Sequence, residues 1–377
     1  MSDAPLATRG VADPLGSSDA GSDLAFKLRA NSEYVAIPLL ALAIAALLFA
    51  LFLLAIGKSP IDFVAYVWRG GFGTAFSLQN TLQRSAPLIL TALAVAIPAR
   101  IGLIMIGGEG ALVIGGLAAA ALAIPMIGTT PPMIALILMA ICGTAVGAFW
   151  VGIAGYLRYA RGVNETISSL LLTYIGIAIM NFFVEGPLRD ISNPNKPSTK
   201  PLTDAYMVGS IPGTEIHWGF IAGVALCILL YLLLERTTFG FAARVTGGNM
   251  RAALAQGLPV GKLIISCSAI AGACAGLAGF FEVAAIQGRA NASLAAGYGF
   301  TGILVSFLAR HNPLAIPAIA ILFGGIVASG GLVQRRMGLP DATVLVLQGL
   351  IFVVLLTSET LYGRFSLFKP KAVRDRT

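Results

Sequence analysis

Histidine is nearly missing: His217 and His311 are the two in 377 residues. They are too few and too far apart for an H-E-x-x-H zinc site, and no Ser-His-Asp arrangement suggests itself. Cysteine is scarce as well. Cys142, Cys227, Cys267 and Cys274 all lie in apolar runs without metal-ligand spacing or a disulfide pattern, so they read as packing residues. Charge is thin, at 11% of residues. The net +8 comes from basic residues scattered over loops instead of gathered in a stripe, which argues against nucleic acid. A phosphate-binding loop is also lacking. The GKS at Gly57 to Ser59 has Phe52 where the earlier glycine belongs, and GLPVGKL from Gly257 has the wrong spacing. Gly297, Gly299 and Gly302 match G-x-G-x-x-G, but no strand precedes them and their segment is apolar.

What is abundant is apolar sequence. With 57% hydrophobic residues and a mean hydropathy of +0.86, the chain falls among multi-span membrane proteins. Residues 1–30, rich in Ser, Ala, Gly and Asp, are expected to be a disordered cytoplasmic tail. The first apolar run, Val35 to Ile56, is too long for a signal-peptide core and is expected to stay as a span. Nine more are expected: Asn80 to Pro98, Gly108 to Ile127, Met133 to Leu157, Glu165 to Val184, Trp218 to Leu234, Leu263 to Ile286, Tyr298 to Ala309, Leu314 to Gly331 and Asp341 to Thr357. Ten spans put both termini inside and leave most of the 25 Lys and Arg residues on the cytoplasmic face, as membrane orientation requires. The expected organisation is an all-α polytopic membrane domain over 31–362, followed by a cytoplasmic tail over 363–377.

Two loops interrupt the apolar pattern. Residues 235–262 carry Arg236, Arg244, Arg251 and Lys262 against Glu235 alone, which places the loop in the cytoplasm. Within it Arg244 to Gly248 reads as a turn, Asn249 as a cap, and Met250 to Gln256 as a short helix closed by Gly257 and Pro259. Residues 185–217 form the largest external loop, rich in proline and therefore irregular, and are a candidate contact for a substrate-delivering protein.

Polar residues inside the apolar runs are the candidate path or gate. Glu109 follows a glycine-rich stretch, Ala99 to Gly116 (ARIGLIMIGGEGALVIGG), and needs a partner or water at the membrane boundary. Asn164 caps a helix whose first turn carries Glu165. Ser168, Ser169, Thr173 and Asn181 make part of one helix face hydrophilic. Glu282 has Arg289 as its candidate partner, and Gln287 and Asn291 lie near the external mouth. Tyr298 to Ala309 is too short to cross about 30 Å of hydrocarbon at 1.5 Å per residue. It is either a half-helix buried among neighbours or extended by the preceding Ala-Gly run.

Three stretches resemble ABC-importer permeases of the ribose, branched-chain amino acid and nucleoside group: TFGFAARVTGGNMRAALAQGLPV with AGACAGLAGFFEV, the glycine-rich stretch before Glu109, and GVNETISSLLLTY from Gly162. They occur in the family's order between Thr81 and Gly349. The family's usual GLFNIGAEGQ has Asn and Gln where this chain has Met105 and Ala111, which removes two hydrogen-bonding groups. The resemblance implies that Gly240, Arg244, Gly247, Asn249, Ala252, Ala253 and Gly257 occupy the segment that docks on an ATP-hydrolysing subunit. It implies a fold with broken or half helices and pseudo-repeated halves, placed in the bacterial inner membrane. Its function would be import of nucleosides, or alternatively of simple sugars, with no cofactor on this chain and ATP and Mg on the partner. The implied partners are the ATPase subunit, a second permease subunit and an extracytoplasmic substrate-binding lipoprotein. A rival from another class, an ion-coupled secondary transporter, would use Glu109 and Glu282 as intramembrane acids.

Overall fold

The computed structural model describes residues 39–193, 195–340 and 342–359. The tails expected at 1–30 and 363–377 lie outside the described residues, as do the start of the first expected span and Asp341. The chain divides into a small unit, which includes Leu39–Leu48 and the chain from Leu350 onward, and a large one, Phe49–Gly349. In the small unit Ala41, Ala45, Ile351 and Leu355 are buried.

Helices dominate the described residues, among which strand-like pairing is confined to isolated bridges. They are α1 Leu39–Ala55, α2 Pro60–Gly71, α3 Ala75–Ala99, α4 Gly108–Met126, α5 Pro132–Arg161, α6 Glu165–Glu185, α7 Gly219–Arg236, α8 Thr238–Gly248, α9 Met250–Ala255, α10 Val260–Phe281, α11 Tyr298–Leu308, α12 Ile316–Met337 and α13 Ala342–Glu359. Each of the ten expected runs carries a helix. Seven of the described helices are long and apolar enough to cross a membrane, and an eighth span results if α1 and α2 are taken together. The pair is bent by 116°, with Ser59 capping α2 through Asp62 N and Pro60 opening its first turn. This second limb was not expected, because its Asp62, Arg69 and glycines dilute the apolar signal.

Close backbone approach organises the centre. α10 packs on α5, α4 and α3, and α12 packs on α3 and α2. Where α4, α5 and α10 cross, glycine faces glycine. A Cβ on Gly276 would meet Gly147 Cα at 3.0 Å and run into the Gly143 carbonyl, and a Cβ on Gly115 would meet Gly276 Cα at 2.6 Å. Small residues are the general means by which helices approach in lipid, where apolar transfer gives no drive.

The loop over 185–217, expected to be external, is irregular, as its prolines dictate, but it is strapped down. Thr199 N donates to Ala290 O at 2.9 Å, Leu202 N to Gly288 O at 2.7 Å and Val208 N to Ala284 O at 2.7 Å. The Tyr206 hydroxyl donates to Thr130 O at 2.7 Å and to Met126 O at 3.0 Å. Asp190 accepts from the Ser192 hydroxyl at 2.7 Å and its N–H at 3.0 Å, and these bonds hold its carboxyl below the usual carboxylate range.

Candidate translocation site and coupling segment

α11 is the half-helix. Its 11 residues reach only about 16 Å at 1.5 Å per residue. Gly297, with φ of +85°, breaks the chain ahead of it, so the Ala-Gly run does not extend it; that run forms a separate turn at Ala292–Leu294. The Thr91 hydroxyl, midway along α3, donates to the Tyr298 carbonyl at 3.0 Å, so α11 begins deep among its neighbours rather than at a surface.

Glu109 holds that buried helix start. Its carboxylate accepts from Gly297 N at 2.7 Å and Gly299 N at 2.5 Å, and it is 1% exposed. The acid therefore lies between the N-terminal ends of α4 and α11, where unpaired N–H groups and both helix dipoles favour negative charge. Gly299 allows the approach, since a Cβ there would strike the Glu109 backbone. Met105 and Ala111, the two departures from the family's form, are buried apolar positions.

Ser169 and Thr173 face the same stretch from α6. Ile106 N donates to the Ser169 hydroxyl at 3.0 Å, and the Thr173 hydroxyl donates to Ser169 O at 3.1 Å and Ile106 O at 3.4 Å. Both are buried, and these hydroxyls tie α6 to the stretch that leads into α4. Asn181 is half-buried near the end of α6. Asn164 caps α6 through Thr166 N and Ile167 N, and Glu165 pairs with Arg158 at 3.2 Å.

Glu282 does not pair with Arg289. It opens a π-helical turn, Glu282–Gln287, which brings Gln287 over it, and Gln287 Nε2 donates to Oε2 at 3.4 Å. Gly288, left-handed at φ +64°, then turns the chain away, and Arg289 lies within electrostatic range of Asp190 in the proline-rich loop. Glu282 Oε1 is buried without a partner.

Beside α11 a cavity of about 370 Å³ is lined by Arg84 of α3, Tyr298 and Thr301 of α11, Val327 of α12, and Val344 and Gln348 of α13. The sequence reading missed these polar residues. For Gln348 the available signal was a glutamine standing alone inside an apolar run, whereas Arg84 is masked by the neighbouring Gln79, Asn80, Thr81 and Gln83.

On the expected coupling segment the chain from Thr238 to Gly248 is α8, a helix where a turn was expected at Arg244 to Gly248. The paired glycines survive in a helix because packing needs one of them: a Cβ on Gly247 would run into the Arg100 carbonyl. Gly240 likewise rests on Leu234. Asn249 caps α9 by accepting from Arg251 N at 3.0 Å and Ala252 N at 3.1 Å, and Gly257, at φ +76°, ends it. Ala253 is buried, whereas Ala252, Arg251 and Leu254 are exposed. Glu235 gathers the segment, pairing with Arg244 at 2.5 Å and with Arg100, just past α3, at 3.1 Å.

His311 sits in the turn after α11, its Nδ1 2.9 Å from the Ser306 hydroxyl. Burial, and then the charges of Arg100 and Arg310, push its pKa down to about 4. The folded chain therefore resists the proton that the unfolded chain accepts near pH 6.5, and stability falls as pH drops from there toward 4. In detergent the melting temperature is expected to fall by a few degrees between pH 7 and pH 5, and H311N should remove part of that fall; an unchanged slope would contradict it.

The model for the branched-chain amino acid transport system permease component matches residues 77–356. The chain belongs to this family. It is similar to a glucose ABC transporter permease of Haloferax volcanii, 33% identical over 81% of this chain and 83% of that one. A guanosine ABC transporter permease of Bacillus subtilis is 29% identical over 90% of this chain and 97% of its own length. A nucleoside ABC transporter permease of Lactococcus lactis is 29% identical over 85% and 90%. The permease is thus a multi-pass membrane subunit of an ABC importer, a family whose members work with ATPase and substrate-binding partners.

Proposed function

We propose that this permease imports nucleosides across a bacterial inner membrane, beside a second permease subunit, with ATP hydrolysed on a separate subunit and solute delivered by an extracytoplasmic lipoprotein. The observation that carries the solute is the likeness to the guanosine permease over nine-tenths of this chain, joined by the nucleoside permease of Lactococcus. Simple sugars are the second reading, favoured by the Haloferax glucose permease.

The coupling segment would work as a lever. α9 offers exposed Arg251 and Leu254 to an ATPase cleft, while its buried Ala253 and the Asn249 cap keep it rigid. A push on α9 would reach α8, then the Glu235 ion pairs, then the Arg100 end of α3. α3 also carries Thr91, which touches the start of α11. Tilting of α3 would thereby alter access to the cavity. Glu109 would act as the fixed pivot of α11, which leaves an ion-coupled scheme without a free acid at that position.

The test is ATP-driven uptake of labelled guanosine by vesicles holding the complete transporter. Leu254→Asp, on an exposed face, is expected to cut uptake at least tenfold while membrane insertion and melting temperature stay as in the parent. Uptake by this chain alone, energised by a proton or sodium gradient, would overturn the reading.

A further inference from the structure

Gln348 is 4% exposed, and only half of its amide is satisfied. Its Oε1 accepts from the Thr301 hydroxyl at 3.1 Å, while Nε2 has no partner although it is buried in the wall of the cavity beside α11. A buried N–H₂ without an acceptor is costly, and such groups are rare unless something else completes them. The Oε1 carbonyl retains a second lone pair, so the amide offers one donor and one acceptor side by side. Arg84, also in the cavity wall, gives its Nε to Asn80 Oδ1 at 3.3 Å and bonds the Tyr298 side chain, and its guanidinium carries more N–H groups than these two partners use. Val327, Val344 and Leu345 supply apolar wall, and about 370 Å³ lies at the small end of the range for ligand pockets.

Resting on the import reading above, we propose that this cavity is a solute-reading site on the permease itself, in which Gln348 pairs with the amide-like edge of a neutral nucleobase. A base with adjacent N–H and C=O groups satisfies both halves of the Gln348 amide in one plane, as glutamine does for base edges elsewhere. Arg84 then donates to a remaining carbonyl or sugar hydroxyl and excludes cationic solutes. A bare sugar has no such edge, so the site separates nucleosides from the simple sugars that similar permeases carry. Discrimination follows from the general rule that a site built to hydrogen-bond a group rejects the analogue lacking it.

The test is equilibrium binding to the full chain in lipid nanodiscs, read by saturation-transfer NMR with uridine, ribose and uridine 5′-monophosphate. Uridine is expected to bind with millimolar affinity, Gln348→Leu to weaken it at least tenfold, and Gln348→Asn to weaken it less. Ribose is expected to bind more weakly and equally to parent and variant. Should Gln348→Leu prove unstable, Thr301→Val, which removes the hydroxyl that orients the amide, is expected to weaken uridine about threefold. Uridine binding that is absent from the parent, or untouched by these variants, overturns the proposal; so does binding confined to the monophosphate. Gln348-dependent uridine binding without ATP-driven uptake by the complete transporter would sink the import reading and leave the site standing.

Discussion

Gly276→Val is expected to yield no folded permease. The new branch would have to enter backbone, because the Gly143 carbonyl and Gly147 Cα occupy its place, and neither can swing aside as a side chain would. α4, α5 and α10 meet there, so relief for one pair means parting the other. Overpacking against flexible side chains costs about 1–3 kcal/mol, and here the cost should exceed that range. Fluorescence-detected size exclusion of the solubilised protein reads it directly: the monodisperse peak should vanish. Gly152→Ala is the control, since its Cβ would find only Ala269 Cβ at 3.9 Å and should leave the peak intact. A normal peak for Gly276→Val would mean that the three helices do not approach as described.

The second large effect is expected from Glu109→Ala. The variant leaves Gly297 N and Gly299 N without acceptors deep in the protein. At about 1–3 kcal/mol for each buried group left unpaired, the cost is roughly 2–6 kcal/mol. Glu109→Gln should fall between, because one carbonyl oxygen remains while the other acceptor becomes a donor facing a donor. Amide hydrogen exchange localises the effect: protection should drop across residues 297–302 first, before that of α3. Guanosine uptake should fall with it, since α11 would lose its fixed start. Uniform exchange across the chain, or unchanged exchange at Gly297 and Gly299, would show that the carboxylate does not hold the helix.

The helices themselves were readable from the sequence, because 3.6-residue elements with one apolar character announce themselves within a short window. So was the short helix α9, since its Asn249 cap and Gly257 stop are local chemistry. What escaped was non-local. Glu109 finds its partners 188 and 190 residues away, and no spacing rule points to them. The Thr301–Gln348 pair likewise joins elements 47 residues apart, and their cavity exists only once four helices have assembled. α8 was misread because Gly247 and Gly248 carry the signal of a turn, while the reason for Gly247 is the Arg100 carbonyl lying against it. Arg289 sat at a plausible distance from Glu282 along the chain, but a π turn and a left-handed glycine redirected it. On α6 the sequence shows polar residues but not their partners: Ser169 and Thr173 bond the Ile106 backbone more than 60 residues away.

The strap of residues 199–208 shares its main-chain hydrogen bonds with Ala284, Gly288 and Ala290, the frayed end of the span that began as α10. The strap and that end of the span are therefore tied together by main-chain bonds. Lifting the strap would take the Val208 N–H from the Ala284 carbonyl inside the π turn that Glu282 opens, so the ribbon and that buried acid belong to one hydrogen-bonded unit.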